Sequence, residues 1–240
     1  MFRLGKFQTG MALRSLGFAL FTLVLLPWSA SLAADEQSDD YMPDVLELKK
    51  GSGLSLPPYD ALTLRGPFTI EFWIVPDWEK DPPFDPVILS NAGPEGSLYM
   101  ISVLRSRSGI SIRFGGKDEI VPFEFTDGQM HFVAIVHLGE EMIVMIDNKI
   151  AGRFQMAFSG LPSSGFWVGS ADGNRAPFTG AIAGLRLWNT IVSPNDLLAY
   201  AVRDIALPGA LHPDIEDLVA ISDFNRRQLI VIEGGENYEK

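Results

Sequence analysis

The chain consists of short β-prone apolar runs that alternate with clusters of Gly, Pro, Asn and Asp. The runs cover 45–48, 54–56, 68–75, 87–90, 98–104, 110–114, 120–123, 130–138, 142–147, 150–154, 166–169, 180–188, 218–224 and 228–232. Many short strands at such spacing are typical of an antiparallel sandwich or barrel. A chain of 240 residues that is 47% hydrophobic can bury the core of one such domain. The sequence therefore predicts an all-β fold.

The clearest strand, 68–75, has residues of two kinds at alternating positions. Phe68, Ile70, Phe72 and Ile74 share one face, which is entirely apolar. The other face is mixed and carries Thr69, Glu71, Trp73 and Val75. We expect the apolar face to form the core between two sheets and the mixed face to line the open side of a sheet.

Turn and capping residues predict how several elements begin and how they are connected. The segments 138–142 and 147–149 join three β-prone runs into a meander, because Asp147 and Asn148 tolerate the positive φ of a tight hairpin. One helix is predicted where Ser193 can cap it and Pro194 fits the first helical position. Asp196 then lies near the positive end of the helix dipole.

The first 33 residues have the organisation of a secretory signal peptide. Arg3, Lys6 and Arg14 precede or flank an apolar run at 16–27, which is too short to span a bilayer, and small residues lead to a cleavage site after Ala33. The alternative is an uncleaved anchor. Residues 34–43 are acidic and polar and are predicted to be a disordered spacer, and residues 234–240 a C-terminal tail.

Charge and cysteine content exclude several functions. Removing the signal peptide takes away three of 19 basic residues and none of 30 acidic ones, which leaves a formal charge of −14. So acidic a surface repels phosphate backbones, which argues against nucleic acid as a partner. The chain has no cysteine, so disulfides, cysteine catalysis and thiolate metal sites are excluded. No later stretch is long and apolar enough to span a membrane.

Four segments in order resemble the laminin-G-like branch of the concanavalin A-like lectin/glucanase superfamily. They are Gly66–Pro76 (form FTIExWxxP), Asp127–Val136 (DGxWHxVAV), Met145–Lys149 (a VDG-type hairpin) and Val168–Asn189 (GxxxxxxFxGxIxxxRxWN). Their order and spacing imply an antiparallel two-sheet jelly-roll sandwich at 44–233. In that fold the C-terminal strand at 218–224 would return beside the N-terminal strand at 45–48.

Two positions depart from the family pattern. Met130 stands where the branch usually has Trp, and we expect it to fill core space, because methionine adapts to irregular gaps. Asn148 stands where a hairpin Gly is usual and should accept the same positive φ.

Catalytic motifs are not recognisable. The superfamily's glucanases carry an ExDxE strand motif, because retaining hydrolysis needs two carboxyl groups about 5 Å apart, and this chain has none. Its nearest pattern, Asp77-Trp78-Glu79, lies between prolines in a predicted loop. His131 and His137 are about 20 Å apart on one predicted strand, so they cannot share a metal, and His212 is remote in sequence.

Calcium is the ion that the resemblance favours, since laminin-G-like domains often hold one in rim loops. The segment 170–175 offers oxygens from Asp172 and Asn174, with Asp85 or Asn91 as helpers from another loop. The same Asp-Gly-Asn sequence is also an ordinary tight turn, and this alternative stays open.

A carbohydrate site would need an exposed aromatic ring with hydrogen-bonding groups beside it. Trp78, on the acidic and proline-rich segment 77–86, is the best candidate, with Asp77, Glu79 and Asn91 as polar neighbours in sequence. Trp73, Trp167 and Trp188 lie in strand patterns and are expected to pack.

Three functional hypotheses follow. The first is a non-catalytic module, periplasmic or secreted, that recognises a glycan or an extracytoplasmic protein through its rim loops. The second is a polysaccharide-active enzyme, a glycoside hydrolase or lyase, with a non-standard carboxylate site. The third is a structural protein whose sandwich packs on others.

Overall fold

A computed structural model gives the fold and describes residues 45–49, 53–56, 58, 62–64, 66–93, 96–157, 165–201, 218–223, 228–233 and 236–237. The strands are β1 (Val45–Leu48), β2 (Leu54–Leu56), β3 (Phe68–Pro76), β4 (Val87–Gly93), β5 (Gly96–Val103), β6 (Gly109–Phe114), β7 (Lys117–Pro122), β8 (His131–His137), β9 (Glu141–Ile146), β10 (Lys149–Gln155), β11 (Phe166–Val168), β12 (Gly180–Trp188), β13 (Leu218–Asp223), β14 (Gln228–Glu233) and β15 (Glu236–Asn237). One helix, α1, covers Pro194–Ala201. The predicted signal peptide and spacer, and His212, lie outside these residues.

The strands form two antiparallel sheets that pack face to face. The larger, nine-stranded sheet has the order β10-β9-β8-β3-β12-β13-β14-β15, with β1 also paired to β12. The six-stranded sheet has the order β2-β11-β4-β5-β6-β7. The predicted all-β, two-sheet architecture with one short helix is confirmed.

Strand β12 joins the two ends of the chain. Val45–Leu48 of β1 pair with Gly180–Ala183, and β13 pairs with the following half of β12, where Ile221 lies opposite Arg186. The C-terminal strand β13 therefore pairs near the N-terminal strand β1, with each bonded to a successive part of β12. Gly180 starts β12 at a φ of 132°, and a Cβ there would lie 1.9 Å from the Val75 carbonyl oxygen of β3. Only glycine allows β12 to approach β3 so closely.

The apolar face of β3 lies in the core, as the alternation predicts. Phe68, Ile70, Phe72 and Ile74 belong to the cluster of buried side chains between the sheets. The expectation that the opposite face is open is wrong at Thr69 and Glu71, which are fully buried. The segment that follows β12 covers Thr69, whose hydroxyl donates to the Thr190 carbonyl (2.8 Å) and accepts from the Val192 amide (3.0 Å). Glu71 is bonded to Arg186 and Trp188 of β12 itself.

A second apolar cluster therefore lies on the outer side of the larger sheet. Its buried members are Phe132, Ala134, Val136, Met145, Trp188, Val192, Leu197 and Leu218. Leu197 comes from α1, whose predicted cap is confirmed: the Ser193 hydroxyl accepts from the Asp196 amide (3.3 Å) and donates to its carboxylate (2.6 Å). Capping by Ser193 starts the helix at Pro194 and places Leu197 against the sheet.

The predicted meander β8-β9-β10 is also confirmed. Asp147 and Asn148 connect β9 to β10 with φ values of 48° and 63°, so Asn148 does replace a hairpin glycine. The expectation for Met130 is wrong. Its side chain is 43% exposed, because the residue ends the loop before β8 and lies outside the alternation of the sheet.

Candidate functional site

Three loops meet at one end of the sandwich. They are 77–86 between β3 and β4, 104–108 between β5 and β6, and 123–130 between β7 and β8. We call them together the Trp78 rim. Backbone hydrogen bonds join the loops, including Gly128 N to Pro76 O (2.8 Å) and Phe125 N to Arg107 O (2.8 Å).

Trp78 lies at the centre of this rim and points inward. Its side chain is only 7% exposed and meets the ring of Phe178 edge to face at 6.0 Å. The indole Nε1 donates to the Arg105 carbonyl (3.3 Å), and the backbone amide donates to the Asp127 carboxylate (3.2 Å). The expectation of an exposed aromatic platform is therefore wrong. A buried indole with a satisfied N–H anchors a loop instead of offering its face to a ligand.

Asp77 and Glu79 flank Trp78 and are both exposed. They lie after the end of β3, so the prediction that this acidic pattern is a loop is confirmed. The amide of Asp77 donates to the Thr179 carbonyl (3.0 Å), which fixes the backbone where β3 ends. With Trp78 turned inward, its two neighbours in sequence are held toward solvent.

Asn91 does not belong to this rim. It is 2% exposed and lies on β4 opposite Tyr99 of β5, whose ring is part of the core between the sheets. Burial raises the pKa of Tyr99 well above its ordinary value. Asn91 is near the acidic loop in sequence, but its position directly opposite Tyr99 turns it toward the core between the sheets.

The candidate calcium residues form a closed loop of their own. Asp172 accepts hydrogen bonds from the backbone amides of Asn174 (3.3 Å) and Arg175 (2.9 Å), and from Arg175 Nε (2.5 Å). These bonds, led by the one from the Arg175 amide, lower the pKa of Asp172. The Asp85 carboxylate accepts from the Arg105 amide (2.8 Å).

The donor set fits a calcium ion poorly. A hard cation needs six or more oxygens, whereas the Asp172 carboxylate is already bonded to a guanidinium. Within the described ranges, no three His, Asp or Glu side chains come close enough together to hold a metal. The ordinary-turn alternative for 170–175 therefore describes the geometry better.

The same loop packs on the smaller sheet. Ser90 of β4 donates its hydroxyl to the Ala171 carbonyl (2.7 Å), and a Cβ on Gly173 would lie 2.7 Å from the ring of Trp167. Trp167 is half-buried and Trp188 is 1% exposed, so both pack as predicted.

The two described histidines have structural contacts. His131 Nδ1 lies 2.8 Å from the carboxylate of Asp147, which ties the start of β8 to the β9-β10 hairpin. His137, at the other end of β8, has Nε2 2.7 Å from the Met156 carbonyl. They occupy opposite ends of one strand, as the sequence predicts.

Sequence reasoning missed Arg107, whose guanidinium contacts the backbone of Trp78 and lies 3.3 Å from Asp127. No motif marks it, because its partners come from loops far away in the sequence. The sequence signal for Arg107 is limited to its location between two predicted strands, which indicates a turn but no role for the side chain.

The two packed antiparallel sheets define a jelly-roll β-sandwich of the concanavalin A-like class. Residues 48–197 match the Laminin_G_3 family model of the concanavalin A-like lectin/glucanases superfamily, and the chain belongs to this family. The jelly-roll sandwich implied by the sequence is thereby confirmed. No curated protein matches the chain.

Several solved structures share this fold. A candidate carbohydrate binding protein from Bacteroides ovatus is 16% identical with a TM-score of 0.55, over 81% of this chain and 54% of that protein. The chain thus spans about half of its length. A heptameric SAP-like pentraxin from Limulus polyphemus is 15% identical with a TM-score of 0.50, over 75% and 93% of the two chains. The CBM40 of a Ruminococcus gnavus sialidase, bound to sialyllactose, is 12% identical with a TM-score of 0.50, over 65% and 96%.

The described residues include no helix with the length and apolar character needed to cross a membrane.

Proposed function

We propose that the protein is an exported, non-catalytic module that binds carbohydrate through the Trp78 rim. The observation that carries this proposal is the outward display of Asp77 and Glu79 on a loop whose centre, Trp78, is fixed by buried contacts. Carboxylates are strong acceptors for sugar hydroxyl groups, and a fixed loop loses little entropy on binding.

The comparisons support a glycan as the ligand. Two of the three solved structures reported above are described as carbohydrate-binding proteins, and one was solved with a bound oligosaccharide. A protein ligand is the alternative that the binding experiment below has to distinguish.

A binding role is favoured over hydrolysis by the position of the acidic residues. A glycoside hydrolase holds two carboxyl groups at a fixed separation across the scissile bond. Asp77 and Glu79 are exposed in an irregular segment instead of alternating on one strand face. We therefore propose that neither residue transfers a proton to a leaving group.

Export is proposed from the sequence of residues 1–33. Expression of the full chain in a bacterial host should give a periplasmic product whose N-terminus is Ala34. A product that begins at Met1 and stays with the membrane fraction would support the uncleaved anchor instead.

The function is tested with mature protein on immobilised glucan, xylan, mannan and arabinan, measuring both retention and release of reducing ends. We expect retention without release, and weaker retention for Asp77→Asn with Glu79→Gln. Glu140→Gln is the matched control, because Glu140 is exposed in the hairpin at the other end of β8. Sugar release by the wild type that is lost in this double variant would overturn the proposal. Retention only on protein ligands would mean that the ligand is a protein and not a glycan.

A further inference from the structure

Arg107 adopts a backbone conformation that its residue type disfavours. Its φ is 62°, in the left-handed region, within the turn between β5 and β6. The Arg107 amide donates to the Leu104 carbonyl (2.7 Å), and the Leu104 amide donates to the Gly109 carbonyl (2.9 Å). A hairpin that closes in this way usually has Gly or Asn at the left-handed position. An arginine there conflicts with the local geometry.

The side chain of Arg107 is held on several sides. Its guanidinium carbon lies 4.8 Å from the centroid of the Trp78 ring, and Nη2 donates to the Trp78 carbonyl. Nη2 is 3.3 Å from the Asp127 carboxylate and Nη1 is 3.8 Å from Asp81. Only 20% of the side chain is exposed. The planar guanidinium can stack and donate together, which an ammonium cannot do.

These contacts join all three loops of the Trp78 rim. The side chain reaches the loop 77–86 and the loop 123–130, while the Arg107 carbonyl accepts from the Phe125 amide (2.8 Å). Asp127 completes the network, because its Oδ1 also accepts from the Trp78 amide (3.2 Å). Without this side chain, the Trp78–Asp127 and Gly128–Pro76 hydrogen bonds would have to hold two acidic loops together against the repulsion of their carboxylates.

We propose that Arg107 is the positioning residue of the ligand site: it holds the Trp78 loop so that Asp77 and Glu79 keep the arrangement that binds the ligand. The disfavoured φ supports this role, since backbone strain persists where the surroundings enforce it and often marks functional sites. A glycine would suit the turn better but would provide no clamp. The inference rests on the proposed carbohydrate site.

The decisive variant is Arg107→Gly, which relieves the turn and removes the clamp. If Arg107 had only a local role in the turn, the Arg107→Gly variant would be at least as stable as the wild type. We expect instead faster hydrogen exchange at the amides of Trp78 and Gly128. We also expect an affinity about tenfold weaker for the polysaccharide of the panel that the wild type binds best.

Two further variants serve as controls. Asn148→Gly changes another left-handed hairpin residue, with a φ of 63°, and should leave affinity and exchange at Trp78 unchanged. Arg107→Lys keeps the charge but loses the planar stack, so its affinity should fall between those of the wild type and Arg107→Gly.

The outcomes separate this inference from the proposed function. If Arg107→Gly keeps both the affinity and the slow exchange, the positioning role is wrong. If the affinity falls while the amides stay protected, Arg107 contacts the ligand directly and does not act through the loop. If the wild type binds no polysaccharide, the proposed function fails, and the exchange at Trp78 and Gly128 still decides whether Arg107 holds the rim.

Discussion

Glu71 and Arg186 form an ion pair buried on the outer side of the larger sheet, with Arg186 Nη1 3.3 Å from Glu71 Oε1. They lie directly opposite each other on β3 and β12, and the indole of Trp188 donates to the same oxygen at 3.1 Å. Their side chains are 0% and 2% exposed. All three residues occupy specified positions of the family pattern, so the motif marks a buried polar network instead of a ligand site.

Breaking this pair from one side should destabilise the fold strongly. In Arg186→Met, Glu71 stays buried without its cation, and we expect a loss of about 3–5 kcal/mol in the free energy of unfolding. Arg113→Met is the matched control, because Arg113 pairs with Asp118 at the surface, where such a pair contributes about 0–1 kcal/mol. Urea denaturation measures both. Equal losses in the two variants would show that burial of the pair is immaterial.

The pH dependence of stability should reveal Glu71. Burial raises the pKa of Glu71 above its ordinary value of 4.5, although Arg186 and Trp188 oppose the shift. The folded state therefore favours the protonated form, and this stabilisation is lost as pH rises from 4.5 through the folded pKa. Relative to Glu71→Gln, the wild type should become less stable over that window in urea titrations. A relative gain would mean that the attraction to Arg186 outweighs burial.

Gly180 should be the least replaceable glycine at the junction of β3, β12 and β1. A Cβ at this position would lie 1.9 Å from backbone, and φ is 132°, so Gly180→Ala should cost about 3 kcal/mol or more. Gly116→Ala is the control, since its φ of 80° is also positive but no atom lies within 4 Å of the added Cβ. That variant should lose about 1 kcal/mol. Thermal unfolding compares the two, and similar melting temperatures would contradict the steric argument.

The sequence predicts the fold well because its signals are local. Alternation in β3, the Asp147-Asn148 turn and the Ser193 cap each depend on neighbouring residues, and each is confirmed. Burial on the outer side of β3 was not predictable in the same way. It depends on Thr190 and Val192, which are far from Thr69 in the chain and lie beside it because β12 pairs with β3.

At the Trp78 rim too, the contacts that the sequence does not predict are those between residues far apart in the chain. Loop residues are usually exposed, so the sequence indicated an exposed Trp78, but three loops close around it. Asn91 is near Trp78 in sequence, whereas its pairing opposite Tyr99 turns it toward the core. Arg107 carries no motif, because its contacts with Trp78 and Asp127 come only from tertiary structure.

Calcium should not stabilise the wild-type protein. The Asp172 carboxylate already accepts from Arg175 Nε and from two backbone amides, so a cation would have to displace these partners. Melting temperatures in excess calcium and in EDTA should therefore agree. If the protein did bind calcium, a free calcium concentration of 100 times the Kd would add about 2.7 kcal/mol to the free energy of unfolding, which the measurement would detect. A calcium-dependent rise that Asp172→Asn abolishes would contradict this prediction.

Ligand charge should decide which glycans the rim accepts. On the loop 77–86 the exposed carboxylates of Asp77, Glu79, Asp81 and Asp85 outnumber the exposed Lys80. On the loop 104–108 Arg105 is exposed, whereas the cation of Arg107 lies against Asp127. The mature protein, with 16 basic and 30 acidic residues, has a formal charge of −14, so an anionic polysaccharide would meet repulsion at short and at long range. We expect affinity electrophoresis to retard the protein in neutral glucan or xylan and not in polygalacturonate. Binding to the neutral polymer should change little between low salt and 0.5 M NaCl, since screening acts on charge pairs. Tighter binding to polygalacturonate that weakens with salt would instead place the ligand on a basic surface away from the Trp78 rim.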